Sequence, residues 1–578
     1  MKKVFSELAV FKKKLILLVL TVIVTSAGTL GLPALMQIII DKAIPSGDYG
    51  MTIRVSGYML ILVAASIFCG IATARLAAEI SMGVGRNMRR EVFAKVQSFS
   101  QKEIDTFTTS SLITRTNSDI ALVQQFLDTC MQIAIMAPVM CLIGMIMAIS
   151  TSVTLSSPLV VAIPLLAVTL VIIGKLAIPL STDIQKKLDK INMIIREKLT
   201  GVRVIRAFGT VDFESRRFDE INSDYTRDSK KLNFLLGLFL PAIVLILALT
   251  SASVMYIAYR QALAGTATYT TGEVMAVIQY IMEIMAGVTM MTIVILLMPR
   301  AAVAAKRAQE VLDSVNEIAD PAEPKENPAQ HGYLEFKNVS FTYAGADTPA
   351  IQGLSFKAAP GETTAIIGGT GMGKTTIVNL IPRLYDVTEG QVLIDGVDVR
   401  DYSIADLRKK IGFVPQKAML FKGTIESNLR FGDDDPAEER VEKAVKIAQS
   451  YDFVMKKSDG FNADVAQGGT NFSGGQKQRL CIARALVREA EIYVFDDSFS
   501  ALDFKTDKAL RAALKKETGN ATTVIVAQRV STIMEADRII VVEKGEIAGI
   551  GKHRELLKTC PVYREIVESQ MSKEEMDK

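Results

Sequence analysis

Two unlike domains are predicted in one chain: an all-helical membrane domain of six helices over residues 1–318, then an α/β domain over residues 333–570 with a helical insert around 420–490. Three observations predict this. Six apolar stretches fill the first half of the sequence, a proline-rich segment follows them, and a short apolar run then feeds a glycine-rich loop. At 578 residues the chain exceeds what one hydrophobic core supports, and 49% hydrophobic residues agree with a membrane part.

The apolar stretches run over about 15–40, 55–78, 124–150, 155–178, 233–260 and 272–298. Each supplies the roughly 20 helical residues that cross a hydrocarbon core of about 30 Å. Lys2, Lys3, Lys12, Lys13 and Lys14 precede the first, and Arg86, Arg89, Arg90, Lys95, Lys102 and Arg115 lie between the second and third. A third basic group, from Lys186 to Arg206, lies between the fourth and fifth. Cations accumulate on the cytoplasmic side, so both termini are expected there, in a multi-pass protein of the cytoplasmic membrane. The long connections 79–123 and 179–232 read as cytoplasmic extensions of the membrane helices. Their turns are expected within 109–119 and 208–218, with Gly201 and Gly209 as punctuation.

After the sixth stretch, residues 319–332 hold three prolines among charged residues, a composition that resists packing and reads as a linker; residues 571–578 read as a tail. The five cysteines form no disulfide or zinc spacing. A net charge of +4 is small for this length and argues against a nucleic-acid partner.

The chemistry begins at residue 365, where Ala-Ile-Ile precedes Gly368, Gly369, Thr370, Gly371, Met372, Gly373, Lys374, Thr375 and Thr376. This is the phosphate-loop pattern, in which glycines turn consecutive backbone N–H groups toward phosphates at a helix N-terminus. Lys374 is expected on the β and γ phosphates and Thr375 on Mg²⁺. A second strand-like run, Ile492-Tyr-Val-Phe, delivers Asp496 to the Mg²⁺ through a water, since magnesium keeps most of its hydration shell. Between them lies Asn471-Phe-Ser-Gly-Gly-Gln476. There Ser473 offers a hydroxyl, Gly474 and Gly475 offer open N–H groups, and Gln476 begins a helix whose dipole favours an anion.

In this order, the motifs identify the chain as a member of the ABC transporters, and the six spans resemble an exporter half-transporter. The resemblance covers nearly the whole chain. It implies that Tyr343 stacks on adenine, that Gln416 senses Mg²⁺ and touches the membrane domain, and that Asp503 belongs to the loop linking two ATP sites. It also implies dimerisation, because in the family the signature Ser473–Gln476 closes over the ATP held by another domain's phosphate loop.

Two positions depart from the family pattern. Asp497 stands where the glutamate that orients the attacking water is expected, and Gln528 where a histidine is expected. Aspartate withdraws the acid by one methylene, and an amide cannot carry a proton as imidazole does. The only histidines are His331 and His553, and residues 466–469 read Ala-Gln-Gly-Gly where the family usually has Gly-Glu-Arg-Gly. The chain thus resembles the degenerate-site subunit of a heterodimeric, multidrug-type exporter. Its intact signature would complete a partner half-transporter's hydrolytic site. A slow homodimeric exporter of lipid or peptide, and an ATP-gated regulatory or channel-like subunit, remain open.

For the substrate, the resemblance favours small hydrophobic or amphiphilic compounds, drugs or lipids. Met282, Met285, Met290, Met291 and Met298 enrich span six, and methionine suits adaptable apolar surfaces as well as helix gaps. Glu283 falls near the bilayer middle, where a carboxylate is costly unless paired or wet. Asp41 and Lys42 mark the outer end of span one.

Overall fold

Among the described residues, six helices are long and apolar enough to cross a membrane: Lys12–Ser46, Tyr49–Gln97, Thr109–Thr151, Val153–Thr200, Val211–Leu263 and Thr271–Asp313. The computed structural model describes residues 2–265, 269–327, 329–433 and 435–571. The continuous helices Tyr49–Gln97 and Leu159–Ala207 have 49 residues each. At 1.5 Å per residue each measures about 70 Å, far beyond a hydrocarbon core.

Two compact units emerge, one of residues up to Val96 with Ser110–Asp313, the other of Gln97–Thr109 with Ser314 onward. In the first, Leu30, Leu155, Leu166, Ile246, Tyr280 and Ile284 anchor a buried core drawn from five of the long helices. Two stretches widen to π-helix, Ile39–Ala43 and Cys130–Ala134. Within the former, Asp41 accepts hydrogen bonds from the Gly272 N–H at 2.7 Å and from the Thr270 hydroxyl, so it caps the start of the sixth long helix. Of the span-six methionines, Met285 is buried, whereas Met282, Met290 and Met298 are exposed on this chain.

One expected cytoplasmic turn lies elsewhere, and the other lies within its expected range. The first cytoplasmic turn does not fall within 109–119: Ser100 opens a helix, Gln101–Phe107, through a reciprocal capping box with Glu103, and Thr108 ends it at φ 62°. Phe99 stacks on Phe107 across this short helix. The second turn falls within 208–218, at residues 208–210 with Gly209 at φ 65° and helix resuming at Val211; Gly201, however, lies inside the preceding helix. The first compact unit ends at Asp313, and described residues of the 314–332 segment are hydrogen-bonded within the second unit. Asn316 donates to the Ser98 carbonyl at 2.8 Å, the Ile404 N–H donates to Asp320 at 2.7 Å, and the Lys325 N–H donates to the Asp401 carbonyl at 2.9 Å. Asn327 adds a bond to the Asp395 carbonyl. Polar side chains and backbone therefore bind this proline-rich strap to the α/β unit, a route that composition does not reveal.

The strands of the second unit are β1 (Leu334–Phe341), β2 (Ile351–Ala358), β3 (Thr363–Ile367), β4 (Glu389–Ile394), β5 (Val397–Asp398), β6 (Ile411–Val414), β7 (Gly423–Thr424), β8 (Asp464–Val465), β9 (Ile492–Asp496), β10 (Thr522–Val526), β11 (Arg538–Glu543) and β12 (Glu546–Gly551). An antiparallel sheet has the order β2-β1-β4-β5, and a six-stranded sheet has the order β12-β11-β3-β10-β9-β6. The inner strands of the latter are parallel, and β9 and β10 are buried at every residue, as strands covered on both faces must be. A helical layer, with Ile425–Arg430, Glu438–Ile447 and Gly474–Val487, packs around Leu429, Val445, Leu480 and Leu486.

Candidate active site

In a parallel sheet, ligands are handled at the carboxyl ends of the strands, and register decides which residues meet there. Here Val526 pairs with both Ile366 and Asp496, and Val414 pairs with Phe495. The ends of β3, β6, β9 and β10 therefore fall within about one residue of a common row, and the loops that leave them carry Gly368, Gln416, Asp497 and Gln528.

The loop after β3 is shaped by close approach. A side chain at Gly368 would meet the Val542 carbonyl oxygen at 2.2 Å, and Gly373, at φ 89°, would meet the Ala350 carbonyl oxygen at 2.7 Å. Beyond it the helix Lys374–Leu380 begins. The Lys374 ammonium lies within the loop, donating to the carbonyls of Gly368 at 2.8 Å and Gly369 at 2.6 Å. Burial lowers its proton affinity, against the opposing pull of Asp497 and Asp496. Met372 packs against the core, and its sulfur accepts from the Lys544 N–H. Thr370 and Gly371 complete the outer curve, exposed.

Thr375 donates to Asp496 at 3.3 Å. Burial pushes the Asp496 carboxyl above its ordinary range, and the Thr375 bond works against that rise. A hydroxyl and a buried carboxylate converging beside a phosphate loop form an oxygen donor set suited to Mg²⁺.

Asp497 takes a positive φ of 45°, unusual for a non-glycine residue, and its N–H donates to the Val526 carbonyl at 3.0 Å. Its carboxylate accepts from Gln528 Nε2 at 2.9 Å. Burial raises its proton affinity, with the nearby Gln416 opposing the rise. The two residues that depart from the family pattern are thus bonded to each other.

Tyr343 sits beside the loop: its hydroxyl lies 2.9 Å from that of Thr376, and its ring meets Phe341 and Tyr385 edge-on. Tyr385 in turn donates to Asp105 of the short helix Gln101–Phe107 at 2.8 Å. These side chains line a cleft of about 540 Å³. Sequence reasoning passed over Tyr385 and Asp105.

The signature is built differently. Ser473 caps the helix Gly474–Val487, accepting from the Gln476 N–H while Gln476 accepts from the Ser473 N–H, so the turn is fixed by its own side chains. Ser473 and Gly474 are exposed. Asp503 caps the next helix, Phe504–Glu517, through the Thr506 N–H at 3.0 Å, a bond that holds its carboxyl below the usual range. The residues of the signature are therefore ordered by their own capping bonds.

A model of the ABC transporter transmembrane region matches residues 15–288, and the ABC transporter model matches residues 351–500. The chain is 38% identical to an uncharacterized ABC transporter ATP-binding protein of Mycobacterium tuberculosis, over 97% of this chain and 96% of the relative. It is 30% identical to the ATP-dependent lipid A-core flippase of Escherichia coli, over 98% and 97%. The structure of a bacterial Atm1-family ABC exporter with ATP bound aligns with a TM-score of 0.80 at 25% identity, covering 98% of this chain and 99% of that one.

Proposed function

This chain belongs to the ABC transporter family as an ATPase half-transporter, and on that premise we propose that it exports hydrophobic or amphiphilic compounds, drugs or lipids, as one subunit of a heterodimer. Its own phosphate loop retains ATP, and its signature completes the partner's hydrolytic site. Both termini face the cytoplasm.

The observation that carries this reading is the 2.9 Å hydrogen bond from Gln528 to Asp497. An acid that activates water must reach it within about 2.6–3.2 Å, and a displacement of about 1 Å loses about a hundredfold in rate. Asp497 is one methylene short, its carboxylate is engaged by the Gln528 amide, and an amide takes up no proton. Binding is a separate matter: Lys374, Thr375 and Asp496 keep the groups that hold triphosphate and Mg²⁺. When bound, Mg²⁺ supplies charge to neutralise the phosphates; Thr375 would ligate it directly and Asp496 through water.

The test uses the purified chain in lipid. No turnover alone, turnover with a partner half-transporter, and loss of that turnover on Ser473→Ala are expected. Stable dimers of this chain with brisk ATPase activity that Asp497→Asn abolishes would show the heterodimer reading to be wrong. The specific observation favouring a homodimer is that one chain carries both a complete phosphate loop and a complete signature, as two identical copies would need. Similarity to a lipid A-core flippase supports lipid among the substrates, and ATP-dependent uphill accumulation in inverted vesicles tests export itself.

A further inference from the structure

The loop that carries Gln528 is short: β10 ends at Val526, and the helix Val530–Ile533 begins after Arg529. Its backbone is bridged by one side chain from the carboxyl-terminal end of the chain. Gln570 Nε2 donates to the Gln528 carbonyl at 2.8 Å, and Gln570 Oε1 accepts from the Val530 N–H at 2.9 Å. A primary amide has one carbonyl and one NH₂, and here each meets its complement on either side of residue 529.

Gln570 is itself fixed. It follows the helix Pro561–Glu568, whose Tyr563 and Val567 are fully buried, and Met571 packs on the same core. The N–H groups of Gln570 and Met571 both donate to the Val567 carbonyl, closing the final turn. From this base the contacts run outward in one line: Gln570 to the Gln528 backbone, the Gln528 side chain to Asp497, and the Asp497 N–H to Val526.

We propose that Gln570 is a positioning residue of the ATP site: it clamps the loop so that the Gln528 amide rests on Asp497, which makes the carboxyl-terminal helix a handle on that site. Gln570 is exposed, so removing its side chain leaves no cavity in the core. Asparagine is one methylene too short to reach both partners, and glutamate would keep the bond from Val530 while turning an oxygen toward the Gln528 carbonyl. The expected order of damage is therefore Glu, then Ala, then Asn.

The inference rests on the reading that Gln528 and Asp497 face bound nucleotide. The experiment measures equilibrium binding and release of radiolabelled Mg-ATP, with kcat and KM, on the full-length chain in lipid nanodiscs. Gln570→Ala, which deletes both side-chain bonds to the loop, is expected to change ATP release, or kcat where the chain turns over, by about threefold to tenfold, with little change in KM. Gln528→Ala should give a similar change, and the double variant no more than either alone, because the two act through one loop. Additive effects, or a Gln570→Ala and Gln570→Glu pair that both match wild type, would overturn the clamp. Thermal melting separates a general loss of fold from this coupling. The wild-type turnover tests the degenerate-site reading, whereas the non-additivity tests the clamp whichever way that turnover falls.

Discussion

The α/β unit contains two loops suited to phosphate, and they are finished in opposite ways. The loop after β3 is closed on itself: Lys374 lies on its carbonyls, Thr375 on Asp496, and Asp497 on Gln528. The signature at Ser473 is equally well ordered by its capping box, yet Ser473 and Gly474 lie exposed. One loop is bonded within the chain; the other is an ordered, exposed turn suited to an anion. ABC exporters work as dimers, and under the proposed heterodimer the two loops of one chain would take different tasks.

If the tasks were equal, disabling either loop would reduce turnover alike. Under the heterodimer reading they separate. Ser473→Ala, which removes a preorganised donor, should lower the ATPase rate of the assembled exporter by about a hundredfold or more. Asp497→Glu combined with Gln528→His should break the asymmetry from the other side, raising hydrolysis at this chain's own site by about a hundredfold; single-turnover assays on the pair would measure it. Lys374→Ala should weaken ATP held at the first loop by about tenfold to a hundredfold, the scale of one or two charge-assisted hydrogen bonds, while the partner's turnover falls less than in Ser473→Ala. Equal losses in the two single variants would erase the contrast.

The parts of this arrangement that sequence made visible are those with local physical signatures. Spans declare themselves by apolar length, the first loop by glycine spacing after a buried strand, and the signature by its Ser-Gly-Gly-Gln run. Contacts joined across the chain do not. Gln570 bonds backbone forty-two residues away, and nothing in its neighbourhood marks it. The strap around Lys325 read as unpacked because proline and charge suggest a linker, whereas its bonds go to Asp401 and Asp395. The short helix Gln101–Phe107 is a different kind of miss. Its Ser100-x-x-Glu103 box is written in the sequence, but a capping box of this kind lies inside a long half-polar connection where nothing else marks the turn.

That helix yields the smallest expected effect and refines the comparison. Tyr385 touches Tyr343, which bonds Thr376 of the first loop, and it also donates to Asp105, so the closed half-site is linked to the segment Gln97–Thr109 within its own unit. Burial, reinforced by Asp105, holds the Tyr385 hydroxyl proton far more firmly than in a free tyrosine, which keeps it a donor across the physiological range. Tyr385→Phe keeps the ring and its edge contact with Tyr343 while deleting that donor. A loss of about 1 kcal/mol in the local stability of residues 101–107 follows, seen as roughly fivefold faster amide exchange there with the exchange of β3 and β9 unchanged. Unchanged exchange at 101–107 would assign the hold on this helix to Lys102 with Glu317 and Asn316 with Ser98 instead.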